Sequence, residues 1–125
     1  MRFKTSVAFL KDVPAGTPLS YGGVYVTSAP ARIATLPVGY ADGWTRMLTG
    51  KAHAVIGGRR ARIVGRICMD QCLADVTGFA DLKIGEEALL FGGPELPVEE
   101  VAAQLGTINY EMVCLVGRRV PRIYC

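Results

Sequence analysis

The stretch AHAVIGGRRARIV, residues 52–64, decides the fold class of this chain. Two runs of strand-forming residues flank Gly57 and Gly58, and a glycine pair between such runs is typical of a tight β-hairpin. Arg60 and Arg62 alternate in the second run, so they lie on one face of the predicted strand. That face is interpreted as a solvated or anion-facing edge. The hairpin therefore predicts β-structure on both sides of it.

Short apolar runs separated by turn residues continue this pattern along the chain. One helix is predicted at 97–105, where apolar residues recur at helical spacing, and a second short helix at 108–113. Residues 40–47 are predicted to form a loop with one helical turn, and Pro121 places the last strand at a sheet edge. The further strands are predicted at residues 3–10, 24–27, 31–37, 71–76, 87–91 and 115–124. This pattern predicts a mostly β domain, barrel- or sandwich-like, with one or two short helices.

The length of 125 residues is that of one domain, taken here as residues 1–125. Half of the residues are hydrophobic, and the mean hydropathy is +0.29. No apolar run approaches the ~20 residues that a membrane-spanning helix needs. The apolar excess is instead interpreted as a surface that is buried against a partner.

The charge and the cysteines exclude several classes of function. A net charge of +3 is too small to indicate nucleic-acid binding, and the arginines are not interleaved with stacking aromatic residues. No cysteine or histidine spacing predicts a metal site. Without a secretory segment, the chain is expected to be cytoplasmic, with reduced and mostly buried thiols. The cysteines are Cys68, Cys72, Cys114 and Cys125.

Four polar segments beside predicted strands are the candidates for chemistry: residues 20–23, 39–43, 65–71 and 107–111. In the first, Tyr21 lies at a glycine turn. A free phenol has a pKa near ~10 and is a poor base at neutral pH. It becomes useful where nearby positive charge favours the phenolate and an electron-sink cofactor such as pyridoxal phosphate acidifies the proton to be removed.

Each of these segments also has an ordinary structural interpretation. Tyr21 suits a strand end with its hydroxyl in water, and Met69 suits a packed core. Asp42 and Gly43 are common turn residues. Asp70 could fix local backbone geometry, and Tyr110 lies at a predicted helix start, where a phenol can contact phosphate. Taken one at a time, none of the segments assigns a function.

The order of the motifs along the chain is more specific. The chain contains SYGG at 20–23, LPVGYADGWTR at 36–46, IVGRICMDQ at 63–71, LGTINYEMVC at 105–114 and RRVPRIY at 118–124. In this order the segments resemble the C-terminal domain of alanine racemase, from about Phe3 to Tyr124. The resemblance implies a pyridoxal-phosphate enzyme whose N-terminal (β/α)₈ barrel holds the cofactor on a lysine. That barrel has no counterpart in these residues, so the chain is expected to be one domain of a larger enzyme and inactive alone.

The resemblance also implies roles for individual residues. Tyr21 would be the base that handles the α-proton of L-alanine, reaching into the opposite subunit of a homodimer. Met69 would contact the substrate carboxylate through its backbone N–H, and Tyr110 would bind the cofactor phosphate. The substrate corridor would be lined by Tyr40, Arg46, Arg66, Asp70 and Ile108. The implied role is supply of D-alanine for peptidoglycan.

A different class of function stays open from the sequence. The same β-domain without its barrel would serve as a stand-alone, non-catalytic binding or interaction module. A nucleic-acid module is a weaker third alternative. The sequence does not distinguish alanine from serine as the preferred substrate, because the shape of the pocket depends on the barrel.

Overall fold

The structure is a computed structural model that describes residues 1–125. Its strands are β1 (Phe3–Ser6), β2 (Phe9–Val13), β3 (Pro18–Leu19), β4 (Tyr25–Val26), β5 (Ala31–Leu36), β6 (His53–Ile56), β7 (Arg59–Val64), β8 (Cys72–Asp75) and β9 (Glu87–Phe91). The helices are α1 (Val98–Leu105) and α2 (Asn109–Leu115), and short 3-10 turns occur at Tyr21–Gly23, Tyr40–Asp42 and Arg46–Leu48. The predicted mostly β class with two short helices is confirmed.

Seven strands form one antiparallel sheet in the order β1-β9-β6-β7-β8-β5-β2, and β3 and β4 form a separate ribbon. Strands β1 and β2 follow each other in the chain yet occupy opposite edges, with only Val7 and Ala8 between them. Three Cα steps span at most about 10 Å. The Val7 N–H donates to the Glu86 carbonyl at 2.9 Å, and the Ala8 N–H donates to the Thr35 carbonyl at 2.9 Å. The sheet therefore rolls until its two edge strands, which do not pair, come close together at this end, as in a half-barrel rather than a sandwich.

The predicted hairpin is confirmed as β6 and β7, with Ile56 opposite Arg59. Gly57 and Gly58 have φ angles of 57° and 75°, the left-handed pair that a two-residue hairpin turn requires. On its solvated face, Arg60 forms a two-pronged ion pair with Glu100 of α1. The hydrogen bond from Arg60 holds the pKa of the Glu100 carboxyl below its usual value. The prediction of an edge is wrong, because β7 is an interior strand that pairs with both β6 and β8. Its exposed face instead carries the Arg60–Glu100 ion pair, which links α1 to the sheet.

The hydrophobic core fills the rolled sheet and extends under both helices. Trp44, from the loop between β5 and β6, is fully buried and lies edge-on to Phe3 at a centroid distance of 6.5 Å. Phe3 in turn stacks at a tilt on Phe91, its partner across the β1–β9 pair. A polar loop thus contributes the largest buried side chain, which ties the loop to the barrel interior.

Helix α1 begins after Pro97 and ends at Gly106, which adopts a left-handed φ of 70° as a C-cap. Glu99 and Glu100 occupy its first turn, where the helix dipole favours negative charge. Helix α2 packs against α1 and buries Met112. Both helices are far too short to cross a bilayer, and no other helix in the structure is longer.

Two predicted strands are wrong in extent or type. Residues 3–10 are not one strand, because the chain leaves one sheet edge at Ser6 and joins the other at Phe9. Residues 115–124 form no strand: α2 continues to Leu115, and irregular chain follows. Arg122 there donates to the carbonyls of Val116, Gly117 and Val120 at 2.8, 2.5 and 2.7 Å. A side chain therefore satisfies the carbonyls that a neighbouring strand would have bonded.

All four cysteines are free, as predicted, but they are not mostly buried. Cys72 is buried and Cys68 partly buried, whereas Cys114 and Cys125 are exposed. Burial raises the pKa of the Cys72 thiol to about 12, which keeps it protonated and unreactive at neutral pH.

Replacing Trp44 tests whether this loop is part of the core. Trp44 has 0% exposure, so we expect Trp44→Ala to lower the free energy of unfolding by about 3–5 kcal/mol. Met47 follows in the same loop and is 68% exposed, so Met47→Ala should change it by less than about 0.5 kcal/mol. Urea unfolding of both variants measures the two free energies of unfolding. Equal losses in the two variants would contradict the assignment of Trp44 to the core.

Candidate functional site

The 39–43 turn (GYADG) is a rigid platform for Tyr40. Its 3-10 turn spans Tyr40–Asp42, and the Gly39 N–H donates to the Asp42 carboxylate at 2.9 Å. Gly43 ends the turn with a φ of 98°, a backbone angle that favours glycine. The side chain of Tyr40 is exposed. The turn is thus held from within while its tyrosine faces outward.

This turn docks backbone to backbone on the 65–71 loop (GRICMDQ). The Tyr40 and Ala41 N–H groups donate to the carbonyls of Cys68 and Met69, both at 3.0 Å. A Cβ atom on Gly39 would lie 2.1 Å from the Cys68 carbonyl oxygen, so only glycine permits this approach. Tyr40 and Met69 consequently lie on adjoining segments, as the predicted site requires.

The 20–23 turn (SYGG) docks on the other side of the same loop. The Ser20 hydroxyl donates to the Arg66 carbonyl at 2.5 Å. A Cβ atom on Gly65 would lie 2.5 Å from the Ser20 Cβ, and one on Gly22 would lie 2.9 Å from a guanidinium nitrogen of Arg66. Tyr21 is therefore carried by a turn that lies directly against Arg66.

Ser20 has the only positive φ outside glycine, with φ 65° and ψ −178°. This region is nearly restricted to glycine, and a residue held there costs on the order of 1–3 kcal/mol. The next residue, Tyr21, is 74% exposed, and its hydroxyl makes no hydrogen bond within the chain. Strain of this kind concentrates at functional sites, where surrounding contacts maintain it.

Arg119 is a site residue for which no motif in the sequence predicted a role. Its Nε donates to Asp42 Oδ1 at 2.6 Å, and its Nη2 donates to Asp70 Oδ1 at 2.6 Å. Burial alone would raise the pKa of the Asp42 carboxyl, but hydrogen bonds from Arg119 and from the Gly39 N–H outweigh it and lower that pKa. The motif RRVPRIY contained the signal, but the strand prediction for 115–124 obscured it.

The remaining candidates lie on other elements of the fold. Ile108 precedes α2, Tyr110 lies in its first turn, and Arg46 begins its own 3-10 turn; all three side chains are exposed. No hydrogen bond joins them to Tyr21, Arg66 or the other candidates. The end of α2 is nevertheless anchored to the 39–43 turn, because the Gly117 N–H donates to the Asp42 carbonyl at 2.9 Å.

The candidate side chains lie on the surface: all are exposed except that of Arg66, which is partly exposed. Two clefts lie elsewhere, one beside Asp12 and Phe79 and one beside Glu86 and Glu95, and neither includes a candidate residue. Catalytic sites exclude water and bury most of a small ligand. This surface needs a covering partner before it can do either.

A family model for "Alanine racemase, C-terminal domain" matches residues 1–124. The chain belongs to this family. It is 56% identical over 124 residues to the alanine racemase of Desulfovibrio desulfuricans and 53% identical over 124 residues to that of Desulforamulus reducens. Each match covers 99% of this chain but only 33% and 34% of the relative, so the chain spans about a third of the length of the curated relatives it matches.

Solved structures of alanine racemases share the fold. The enzyme of Clostridium difficile 630 superposes with a TM-score of 0.95 at 43% identity, covering 99% of this chain and 32% of that one. The Bacillus anthracis enzyme with bound L-Ala-P superposes with a TM-score of 0.92 at 39% identity, covering 99% and 32%. The resemblance inferred from the motif order is therefore confirmed.

Substituting Gly39 tests the close approach of the two segments. Its φ of −149° suits any residue, so Gly39→Ala adds only a steric conflict with the Cys68 carbonyl. We expect a loss of about 2–4 kcal/mol in the free energy of unfolding, and loss of hydrogen-exchange protection at the Tyr40 and Ala41 amides. Gly50→Ala is the control, because nothing lies within 4 Å of its Cβ position and only its φ of 76° is strained. Retained protection at both amides in Gly39→Ala would refute the steric argument.

The lowered pKa of Asp42 predicts an acid-sensitive contribution to stability. A carboxyl whose pKa is lower in the folded state stabilises the fold above its ordinary pKa, here 3.8, and the effect disappears as the pH falls through the folded value. Asp42→Asn should therefore lower the free energy of unfolding at pH 7. Below about pH 4 the free energies of unfolding of the variant and the wild type should move closer together. Urea unfolding at both pH values measures this. An equal difference in the free energy of unfolding at both pH values would contradict a stabilising role for the Asp42 carboxylate.

Proposed function

We propose that this domain is the C-terminal part of an alanine racemase that interconverts L- and D-alanine by a two-base proton transfer. In this proposal Tyr21 is the base on one face of the α-carbon. A lysine outside these residues acts on the opposite face, because racemisation removes a proton from one side and returns one on the other. The observation that carries the proposal is the strained turn that holds Tyr21 outward beside Arg66.

The strain at Ser20 supports a catalytic role for its neighbour over a merely structural one. A strand-end tyrosine in water needs no unusual backbone, yet here the chain maintains one with the Ser20–Arg66 hydrogen bond and the glycine at position 65. Arg66 also places a positive charge beside the turn that carries Tyr21.

The backbone of Met69 supports the proposed contact with a substrate carboxylate. Its carbonyl accepts the Ala41 N–H, but its own N–H donates to no group in the chain. A free N–H on an exposed, well-anchored loop is a donor available to an anion. An amino acid would therefore be bound by its carboxylate at this loop, with its α-carbon toward Tyr21.

The proposed cofactor is pyridoxal 5'-phosphate, an electron sink that acidifies the α-proton of a bound amino acid. Tyr110 fits a phosphate contact, since its hydroxyl is exposed and makes no hydrogen bond within the chain. No lysine fits the anchoring role. Lys4 pairs with Glu87 at 2.9 Å, and the other lysines lie outside the 20–23, 39–43 and 65–71 segments. We therefore place the anchoring lysine in the two-thirds of the relatives' length that this chain does not match.

The residues implied to form the substrate corridor complete the proposal. Tyr40, Arg46, Arg66, Asp70 and Ile108 would line a narrow corridor once a barrel domain covers them, and such a corridor admits a small amino acid and excludes water. Tyr21 would serve the site of the neighbouring subunit in a homodimer. The proposed role of the whole enzyme is cytoplasmic supply of D-alanine for peptidoglycan.

Tyr21→Phe in the full-length protein tests the two-base assignment. L- and D-alanine deuterated at the α-carbon are incubated separately in water, and the loss of deuterium is followed by NMR. We expect release from L-alanine to fall by about 100-fold or more, because a positioned base contributes that much, while release from D-alanine largely persists. Racemisation should fall equally in both directions, since each direction needs the lost base.

Tyr25→Phe is the matched control, because Tyr25 lies nearby in β4 but packs on the small core of Val13, Leu19, Ile33 and Val64. It should leave both release rates unchanged. Unchanged release from L-alanine in Tyr21→Phe would show that Tyr21 is not the base. A full-length protein that racemises no alanine would overturn the proposed function itself.

A further inference from the structure

Arg119 connects three parts of the chain that are remote in sequence. Its guanidinium bonds Asp42 of the 39–43 turn and Asp70 of the 65–71 loop, each at 2.6 Å, from the segment that follows α2. The sequence separations are 77 and 49 residues. No other side chain in the structure bonds both of these site segments.

The geometry calls for an arginine. Two different nitrogens of one planar group reach two different carboxylates, which the single ammonium of lysine cannot reproduce with fixed direction. The second oxygen of Asp42 accepts the Gly39 N–H, so the guanidinium is linked to the backbone that docks on the Cys68 carbonyl.

Folding stability does not account for the Arg119–Asp70 ion pair. The Arg119 side chain is 50% exposed and that of Asp70 is 63% exposed, and ion pairs at such positions add little to folding free energy. The Arg119–Asp70 pair instead constrains the direction of the backbone around Met69. Asp70 directly follows Met69, whose carbonyl is already bonded by the Ala41 N–H. The backbone of Met69 is therefore held by the Ala41 bond at its carbonyl and by the Asp70–Arg119 ion pair one residue further along.

We propose that Arg119 is a positioning residue, which aims the free N–H of Met69 at the carboxylate of the bound amino acid. This inference rests on the function proposed above. Arg119 touches neither substrate nor cofactor in this account. It acts through Asp70 and Asp42, which it locks to each other across the two segments that carry the site.

The test uses the full-length protein with Arg119→Lys and Arg119→Met. Both variants should raise the KM for L- and D-alanine by about 10-fold or more, with a smaller change in kcat, because carboxylate binding is weakened. The inhibition constant of propionate, an unreactive carboxylate, should rise by the same factor in each variant. Arg119→Lys should not return the propionate constant to its wild-type value, because lysine keeps the charge but lacks the two-pronged geometry of the guanidinium.

Arg122→Met is the matched control, because Arg122 holds carbonyls of the same segment but contacts neither aspartate. It should leave the KM and the propionate constant within twofold of the wild type. Asp70→Asn removes the same ion pair from the other side and keeps the side-chain size. It should raise the KM and the propionate constant. Adding Asp70→Asn to Arg119→Met should raise neither constant further.

Two results would overturn the inference. One is a KM and a propionate constant within twofold of the wild type in Arg119→Lys. The other is an Arg122→Met variant that matches Arg119→Met, since the effect would then be loosening of the segment. Absence of racemisation by the wild type would instead overturn the proposed function, so the two failures are distinguishable.

Discussion

The close approach of the 39–43 turn to the carbonyls of Cys68 and Met69 is the constraint on which the rest of the site depends. Two backbone hydrogen bonds of 3.0 Å form there, and the space at Gly39 leaves no room for a side chain. Because this contact joins backbone to backbone, its geometry is independent of rotamers. It therefore gives the loop a fixed direction, and the contacts of Ser20 and Arg119 with that loop build on it.

The 20–23 turn and the C-terminal segment use the loop in different ways. Ser20 bonds the Arg66 carbonyl and keeps a strained backbone, so that Tyr21 is displayed outward. Arg119 ties Asp70 back to Asp42, so that the free N–H of Met69 keeps its orientation. The barrel beneath supplies the rigidity that both need, with Trp44 buried directly after the turn. Side chains that a packed scaffold holds in place lose little entropy when they bind a ligand.

The sequence predicted the β-class, the hairpin at Gly57 and Gly58, and both helices, because local periodicity and turn chemistry determine such elements. It could not place the break between β1 and β2, since an alternating run looks the same whether it stays in one sheet edge or changes to the other. The segment after Leu115 was wrongly predicted as a strand. Its carbonyls are satisfied by Arg122, a partner that periodicity does not reveal.

The family of this chain was determined by the sequence alone, because five motifs in a fixed order are specific even where each is common. The candidate residues Tyr21, Met69 and Tyr110 also followed from that order. Only the tertiary structure brought Ser20 against Gly65, exposed the unpaired N–H of Met69, and placed Arg119 between Asp42 and Asp70. These are contacts between residues far apart in the chain. They depend on how the sheet rolls and how closely backbones approach, and no local pattern records either.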